Sequence, residues 1–477
     1  MSSGKRKRLQ VPDSDVRSFI ATLTRPGKYS LSSVAGSGKT TTALDFLRFT
    51  TAKDSDLEVV YLSYTNACVK DATSKIGLNT NHVISTFNKF VLDILKVHNI
   101  GLPTENDLLY WAKNTNFTTE NKYSSIVDRC QELLLSNDEE SNKALDAFFD
   151  ASKFWKQKHT TTFDFHIVIL YYLIKKREIS CGGHALIVDE VQDIDPFKME
   201  LTKTFSFDIV IFIGDPRQSI YAYDGTINFF HSEYASQFEK HELTTTFRFS
   251  QNLCDIIYGK GEVYSASRKE TRVNFYENSY GSIANGKHVY LVPTNLQVLK
   301  LIRRLCLLGK TIALTQSRLS QLKYHYKKYL IFNNSLKTKL RRSGNYDTGK
   351  ELIPSVRKTY ADELRINNNG LFKYSAMDWG WCDDLCKRVR NKTVSIVAQA
   401  TISDDYDFVD TIHSFKGKEA PFIVLNGLSH PNLMPQYNDE HDRHCLYYVA
   451  LTRASDALYL PSAWKEKFTR PFLGLVQ

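Results

Sequence analysis

Residues 33–40 read Ser-Val-Ala-Gly-Ser-Gly-Lys-Thr, and this stretch is the strongest indication of the fold. Its glycines let the backbone bend so that N–H groups face a phosphate. Lys39 would reach the β- and γ-phosphates of a nucleotide, and the Thr40 hydroxyl would bind Mg²⁺. Residues 41–49 have a helical pattern, and the dipole of a helix that begins here favours the same anion. The usual pattern begins with Gly, where this chain has Ser33. The stretch predicts an α/β domain whose nucleotide-binding residues are Gly36, Ser37, Gly38, Lys39, Thr40 and Thr41.

Two later segments carry polar residues directly after an apolar run. Residues 185–188 have the pattern of a buried strand, and Asp189 and Glu190 follow. Acidic residues at the carboxyl end of a strand lie where α/β sheets bind ligands. Asp189 would hold Mg²⁺, and Glu190 would orient and deprotonate the attacking water. A further strand at 209–213 leads to Gln218, which would sense the γ-phosphate. Each segment alone also fits a simple turn after a strand, but the three together favour nucleotide hydrolysis.

The composition is that of a globular protein in a reducing compartment. The chain has 477 residues and 42% apolar residues, and length alone predicts two to four domains. The longest apolar run, 167–174, is far shorter than the ~20 residues that span a bilayer, so we expect no membrane partner. The eight cysteines are scattered, which favours an intracellular setting. The basic run Lys5–Arg8 fits a nuclear import signal, a phosphate-binding arm or a solvated tail; without import, the cytoplasm is the expected location.

Positive charge is concentrated late in the chain. The net charge is +10, and residues 321–400 contain 16 Lys and Arg against 7 Asp and Glu. Ten aromatic residues lie among them. Basic groups for phosphates and flat rings for bases are typical of a nucleic-acid surface. A solvated face over a small aromatic core fits the charge equally well, so both interpretations stay open.

The motifs, taken in chain order, resemble those of the UvrD/Rep-like DNA helicases of superfamily 1A. Motif II has the DExQD form at 189–193, and motif VI reads Tyr-Val-Ala-Leu-Thr-Arg-Ala at 448–454. The Gly-Asp-Pro-Arg-Gln of motif III and the Phe-Arg-Phe of motif IV lean toward the F-box DNA helicase branch. The matching segments are 34–40, 64–67, 85–87, 189–193, 214–223, 246–250, 411–419 and 448–454.

The resemblance implies two RecA-like P-loop NTPase domains, each interrupted by an insertion. Helical spacing at Val91, Ile94 and Leu95 supports a helical first insert, domain 1B. The second insert, 2B-like, would be short, basic and aromatic. The implied boundaries are 1–9 for a basic tail, 10–90 and 175–245 for domain 1A, 91–174 for 1B, 246–330 and 396–477 for domain 2A, and 331–395 for the 2B-like insert.

The resemblance also implies roles for residues far from the phosphate loop. ATP and Mg²⁺ would bind between the two RecA-like domains, with Glu190, Gln218, Arg248 and Arg453 catalytic. The two arginines would act as arginine fingers on the γ-phosphate. Phe247 would stack on adenine, where the family usually has Tyr, and Gly417 and Glu419 would complete the nucleotide site. The implied nucleic-acid contacts are Tyr64, Thr65, Asn66, Thr86, Tyr221, Tyr223 and His413. For Tyr221 and Tyr223, half-buried strand positions are the alternative.

One departure from the family concerns the base of the nucleotide. The family has a Gln ahead of motif I that reads adenine, but residues 11–20 contain none and only Gln10 is close. Selectivity for ATP over GTP therefore stays open.

The function implied is an ATP-dependent helicase or translocase that moves 3′-to-5′ on single-stranded DNA and acts at single-strand/duplex junctions. A translocase that strips proteins and unwinds poorly is a related alternative. An ATP-gated nucleic-acid-binding scaffold with little turnover comes from another class, and the presence of Glu190, Gln218, Arg248 and Arg453 argues against it. A P-loop kinase or GTPase would lack the DExQD and late Thr-Arg-Ala motifs. Neither a loading partner nor a choice among DNA repair, DNA replication and viral or mobile-element use can be read from the residues.

Overall fold

The structure of the chain is a computed structural model. It describes residues 20, 23, 25–53, 56–76, 82–115, 117–118, 120, 122–136, 138–151, 163–267, 270–277, 288–315, 396–398, 406–426 and 440–469. The basic tail at 1–9, Gln10 and the 2B-like insert at 331–395 lie outside these residues. The chain divides into two units, Met1–Thr245 and Thr246–Gln477.

A six-stranded parallel sheet forms the centre of the first unit. Its spatial order is β3-β2-β4-β5-β1-β6. The central strands are runs of β-branched and aromatic residues buried on both faces, as parallel strands must be when helices cover both sides. The strands are β1 (Gly27–Ser33), β2 (Val59–Ser63), β3 (Val83–Thr86), β4 (Gly182–Asp189), β5 (Ser206–Gly214) and β6 (Glu239–Leu243).

Helices cover the two faces of this sheet unequally. One face packs with α1 (Lys39–Lys53) and α2 (Asn66–Ile76) around Leu44, Leu47 and Ile211. The opposite face shares one large core with five helices that lie between β3 and β4. Several begin at clear caps: Thr104 and Asp107 form a reciprocal capping box. The five helices are α3 (Phe87–Val97), α4 (Glu105–Asn114), α5 (Tyr123–Ser136), α6 (Glu139–Ala151) and α7 (Phe163–Lys175), and α8 (Pro196–Lys203) follows β4.

The second unit contains a seven-stranded parallel sheet in the order β12-β11-β13-β10-β14-β15-β9. Its strands are β9 (Arg272–Tyr276), β10 (Val289–Val292), β11 (Ile312–Leu314), β12 (Ile396–Ala398), β13 (Asp407–Thr411), β14 (Ala420–Leu425) and β15 (Ala454–Pro461). Two short strands, β7 (Thr245–Thr246) and β8 (Tyr264–Ser265), precede it. The helices are α9 (Gln251–Ile257), α10 (Asn295–Leu307), α11 (Ile412–Phe415) and α12 (Glu440–Leu451).

The predicted fold class is confirmed: the chain is α/β, with two RecA-like domains built on parallel sheets. In the first sheet, β4, β5 and β1 are adjacent, so the segments that follow them meet at one edge. That edge, at the carboxyl ends of the strands, is where open α/β sheets bind ligands. Among the described residues, no helix is long and apolar enough to cross a membrane.

Candidate nucleotide and nucleic-acid sites

The phosphate loop lies at the carboxyl end of β1, and α1 begins at Lys39. Gly36 and Gly38 have φ of 75° and 86°, in the left-handed region that glycine adopts without strain. The Ser37 hydroxyl oxygen is buried and has no hydrogen-bond partner among the described residues. A buried hydroxyl without a partner is costly, and a phosphate oxygen would satisfy it. The loop therefore fits a nucleotide phosphate.

Ser33, which departs from the usual loop pattern, has a structural contact. Its Oγ donates to the Gly214 carbonyl oxygen at 2.9 Å, and both groups are buried. This hydrogen bond joins the start of the phosphate loop to the end of β5. The departure is visible in the sequence, whereas the contact that the serine makes is visible only in the fold.

Two acidic residues at the end of β4 lie beside the loop. The Lys39 ammonium is 3.3 Å from Glu190 Oε1. Asp189 is buried and accepts from the Tyr61 hydroxyl at 2.5 Å and from the Glu190 backbone N–H at 2.9 Å. Glu190 has φ 63° and ψ 35°, which is uncommon for a residue other than glycine. Such backbone strain is concentrated at functional sites. The structure thus brings together Lys39, Asp189 and Glu190, and it adds Tyr61, which no motif singled out.

The charges in this group shift one another's pKa. Burial raises the pKa of the Asp189 carboxyl and the neighbouring Glu190 raises it further, while Lys39 and Tyr61 act in the opposite direction. Burial lowers the pKa of Lys39, but Glu190, Asp189 and Asp215 outweigh it, so the net shift is upward. Lys39 therefore stays protonated, as a phosphate ligand must. A divalent cation at Asp189 would stabilise the ionised carboxylate that burial disfavours.

The residues present fit a nucleotide with Mg²⁺. Thr40, the second residue of α1, and Asp189, at the end of β4, would hold the ion. The ion would supply positive charge that offsets the negative charge of the phosphate groups. Thr41 continues the first turn of α1 beside them.

Gln218, the predicted γ-phosphate sensor, is buried at the end of a one-turn 3₁₀ helix that follows β5. Its Nε2 donates to Asp215 Oδ2 at 2.7 Å. The Asp215 backbone N–H in turn donates to Gln192 Oε1 at 3.1 Å, and Gln192 Nε2 donates to Glu190. The side chains predicted to act as base and as sensor are therefore linked through Gln192 and Asp215, to which no role was assigned from the sequence.

The predicted nucleic-acid contacts of the first unit lie at or after the carboxyl ends of β2, β3 and β5. Thr65 Oγ1 accepts from the Cys68 N–H at 3.2 Å and Thr86 Oγ1 from the Lys89 N–H at 3.3 Å, so both hydroxyls cap helices. Asn66 is the first residue of α2. A threonine at the start of a helix commonly accepts a hydrogen bond from the backbone N–H three residues later. The capping role of both threonines could therefore have been predicted from the sequence.

The aromatic residues of this set differ in exposure. Tyr64 packs against the core with its hydroxyl buried, and the Lys198 ammonium lies 5.7 Å from its ring centre. Tyr221 and Tyr223 flank the start of a 3₁₀ turn at Ala222–Asp224, with ring centres 6.2 Å apart. The alternative of strand positions for these two residues is wrong, since neither lies in a strand. Tyr223 is 49% exposed, so its ring face is accessible to a base.

In the second unit, the two predicted arginine fingers have different surroundings. Arg248 Nε donates to Glu419 Oε2 at 2.6 Å, and its Nη1 donates to the Thr452 carbonyl oxygen at 3.2 Å. Arg453 is 1% exposed, and its nitrogens donate to Val449 O, Lys418 O and Thr452 Oγ1. A finger role for Arg453 requires these hydrogen bonds to break. Of the two partners of Arg248, the Glu419 carboxylate is itself largely exposed.

The remaining predicted residues of the second unit lie near the ends of its strands. Phe247 follows β7 and is 46% exposed, which leaves its ring available for stacking. His413 is the second residue of α11, directly after β13, and Gly417 follows α11 with φ 80°. Glu419 directly precedes β14 and pairs with Arg248 within this unit.

Comparison with known proteins gives matches to two family models and similarity to solved structures. Residues 19–224 match the model of an AAA domain, and residues 407–460 match that of the UvrD-like helicase C-terminal domain. No curated protein matches the chain. The crystal structure of arterivirus nonstructural protein 10 (helicase) is similar at 13% identity with a TM-score of 0.36, covering 97% of this chain and 64% of that one. The chain thus spans just under two thirds of that structure's length.

Both family matches contain motifs identified above. The first includes the phosphate loop, the DExQD segment and the motif III segment at 214–223; the second includes the segments 411–419 and 448–454, the latter being motif VI. The lean toward the F-box branch stays a prediction, because neither matched model is specific to that branch. The chain belongs to the UvrD/Rep-like helicases of superfamily 1.

Proposed function

We propose that the chain is an ATP-dependent motor that moves 3′-to-5′ along single-stranded DNA and separates duplex at single-strand/duplex junctions. The 3′-to-5′ direction and the choice of DNA rest on the resemblance of the motifs. Its family uses nucleotides, usually with Mg²⁺, and binds nucleic acid. The domain boundaries given above from the sequence are part of the same proposal.

One observation carries the hydrolytic part of this proposal. In the first unit, the phosphate-loop lysine, the acidic pair of β4 and the glutamine after β5 lie at the carboxyl edge of three adjacent parallel strands. Hydrogen bonds link them continuously. Lys39 would bind phosphate, Glu190 would activate water, and Gln218 would sense the γ-phosphate. A scaffold without turnover has no need for a general base held in a strained backbone.

The second unit would supply the remaining charge. Arg248 is the stronger candidate for an arginine finger, because the exposed Glu419 carboxylate that pairs with it could release it to a phosphate. Arg453 would act as a finger only after leaving its buried hydrogen bonds. Phe247 would stack on the purine, and Gly417 and Glu419 would complete the site.

Single-stranded DNA would lie against the exposed aromatic residues and the ends of β2 and β3. Tyr223, Tyr221 and the accessible part of Tyr64 would stack on bases, each stack contributing about 1–3 kcal/mol. Thr65, Asn66, Thr86 and His413 would contact the backbone. Tyr221 and Tyr223 follow Gln218 closely in the chain, so the state of the nucleotide would alter their grip on the strand.

The test is ATP hydrolysis measured with and without single-stranded DNA, with Lys39→Ala as the inactive control. We expect the DNA to raise the rate of the wild-type protein and Lys39→Ala to hydrolyse little ATP in either condition. Nucleotide-dependent DNA binding without turnover would favour the scaffold instead.

A further inference from the structure

Gln192 is completely buried in the one-turn helix that follows β4, and both ends of its amide are used. Its Nε2 donates to Glu190 Oε2 and, at 3.3 Å, to Asp193 Oδ2. Its Oε1 accepts from the Asp215 backbone N–H at 3.1 Å. The amide therefore links Glu190, the predicted general base, to Asp193 and to the backbone of Asp215 after β5.

Asp193 continues this connection toward the aromatic segment. Its Oδ1 accepts from the backbone N–H groups of Ile220 at 3.1 Å and of Tyr221 at 3.4 Å, while its Oδ2 faces Gln192. Asp193 is 7% exposed, so these hydrogen bonds form in a low-dielectric interior where they are strengthened. Through this carboxylate, the backbone of Tyr221 is connected to Glu190 by only two side chains.

The packing around Gln192 leaves it little freedom to move independently. A Cβ added at Gly214 would lie 2.4 Å from Gln192 Oε1, closer than real Cβ contacts. The absence of a side chain at Gly214 thus lets the amide reach the Asp215 backbone. In such close packing, a displacement of Glu190 would move Gln192 against its hydrogen-bond partners rather than into empty space.

We infer that Gln192 and Asp193 are positioning residues that couple nucleotide hydrolysis to the nucleic-acid grip of the Tyr221 segment. This inference rests on the proposed function. Gln192 orients the Glu190 carboxylate, and Asp193 holds the backbone of Ile220 and Tyr221 in the matching position. The route is separate from Gln218, because it runs through motif II side chains to the backbone after motif III.

Coupling can be measured from either direction. In a coupled motor, single-stranded DNA would change the rate of ATP hydrolysis, and a nonhydrolysable ATP analogue would change the Kd for DNA, typically by a factor of about 5–150. The test variants are Gln192→Leu, which removes every amide hydrogen bond, and Asp193→Asn, whose NH₂ group would oppose Gln192 Nε2. The measured quantity is the ratio of the DNA Kd values without and with the analogue. We expect both variants to lower this ratio at least fivefold. If the wild-type ratio is below five, we expect it to fall to one.

The matched control is Thr202→Val in α8. It removes another buried hydrogen bond of the first unit, from Thr202 Oγ1 to the Met199 carbonyl oxygen, without touching this network. If Gln192 and Asp193 had a purely structural role, their substitution would lower thermal stability, as is expected of the control, and would leave the Kd ratio unchanged. In a Tyr221→Ala background, Gln192→Leu should add no further loss of the ratio if the coupling passes through Tyr221.

Wild-type Kd ratios in both variants, measured in folded protein, would overturn the inference; if Gln192→Leu does not fold, Asp193→Asn alone decides. An additive effect with Tyr221→Ala would also overturn it. A wild-type protein that neither binds DNA nor hydrolyses more ATP with DNA present would instead overturn the proposed function.

Discussion

Gly214→Ala is the substitution whose cost follows most directly from the geometry. Gly214 ends β5, and a methyl group there would lie 2.4 Å from Gln192 Oε1 and 3.0 Å from a ring carbon of Phe230. Ordinary contacts begin near 3.4 Å, so the amide must move by about 1 Å. That movement breaks its 3.1 Å hydrogen bond from the Asp215 N–H.

The expected loss of stability has two parts. A buried donor left unsatisfied costs about 1–3 kcal/mol, and forcing a packed side chain aside costs about 1–3 kcal/mol. Because the two share the same displacement, we expect about 2–4 kcal/mol in total. For a unit of this size, about 2–4 °C of Tm is lost per kcal/mol, so the melting temperature should fall on the order of 10 °C.

The assay is thermal unfolding followed by circular dichroism, with Gly27→Ala as the control in the same sheet. The atoms nearest to a Cβ at Gly27 belong to the end of the Tyr29 side chain, at 3.2 Å and beyond, and this side chain can yield, so that variant should lose less than about 1 kcal/mol. A Gly214→Ala protein that melts within about 2 °C of the wild type would refute the reasoning from the Gln192 contact.

Three further predictions concern chemistry, selectivity and pH. Glu190→Gln should lower steady-state ATP hydrolysis about 10²–10⁴-fold while ATP and DNA binding persist, because it removes the base and keeps the phosphate contacts; a wild-type rate would place the base elsewhere. GTP should support a substantial fraction of the ATP rate, since stacking on Phe247 suits any purine, and a strong ATP preference would reveal another adenine-reading group. Asp407→Asn should destabilise the second unit by about 3 kcal/mol in denaturant unfolding, because Asp407 pairs with Lys310 at 2.9 Å and accepts from the His288 N–H at 2.9 Å. Burial would raise the pKa of Asp407, but His288 and Lys310 together lower it, so the net shift is downward. The ionised Asp407 therefore stabilises the folded protein above the ordinary carboxyl pKa of about 4. This stabilisation is lost as the pH falls through the lower pKa that Asp407 has in the folded protein. The wild-type advantage over Asp407→Asn should therefore shrink in acid, and an advantage that persists unchanged there would contradict the assignment.

The local parts of the nucleotide site were predictable from the sequence. The phosphate loop and the acidic end of β4 are short patterns whose backbone and charge requirements lie within a few residues. The strands predicted at 185–188 and 209–213 lie inside β4 and β5, with bounds wider by one to three residues at each end. Apolar spacing at Val91, Ile94 and Leu95 indicated a helix that the structure extends over Phe87–Val97.

The contacts that join these parts were not predictable, because they connect distant residues. The Ser33–Gly214 and Tyr61–Asp189 hydrogen bonds span 181 and 128 residues and depend on which strands are neighbours. No local pattern specifies that β5 lies between β1 and β4. For the same reason, the sequence alone could not distinguish Arg453 from Arg248, although Arg453 is almost completely buried.

The central claim is directed movement along DNA driven by ATP, and strand displacement tests it most directly. Matched duplexes carrying only a 3′ or only a 5′ single-stranded tail would be incubated with the wild-type protein and Mg²⁺, with ATP or with a nonhydrolysable analogue. We predict displacement of the 3′-tailed duplex with ATP, little displacement of the 5′-tailed duplex, and none with the analogue. Displacement of the 5′-tailed duplex alone would contradict the proposed direction, and ATP hydrolysis stimulated by DNA without displacement of either duplex would contradict unwinding.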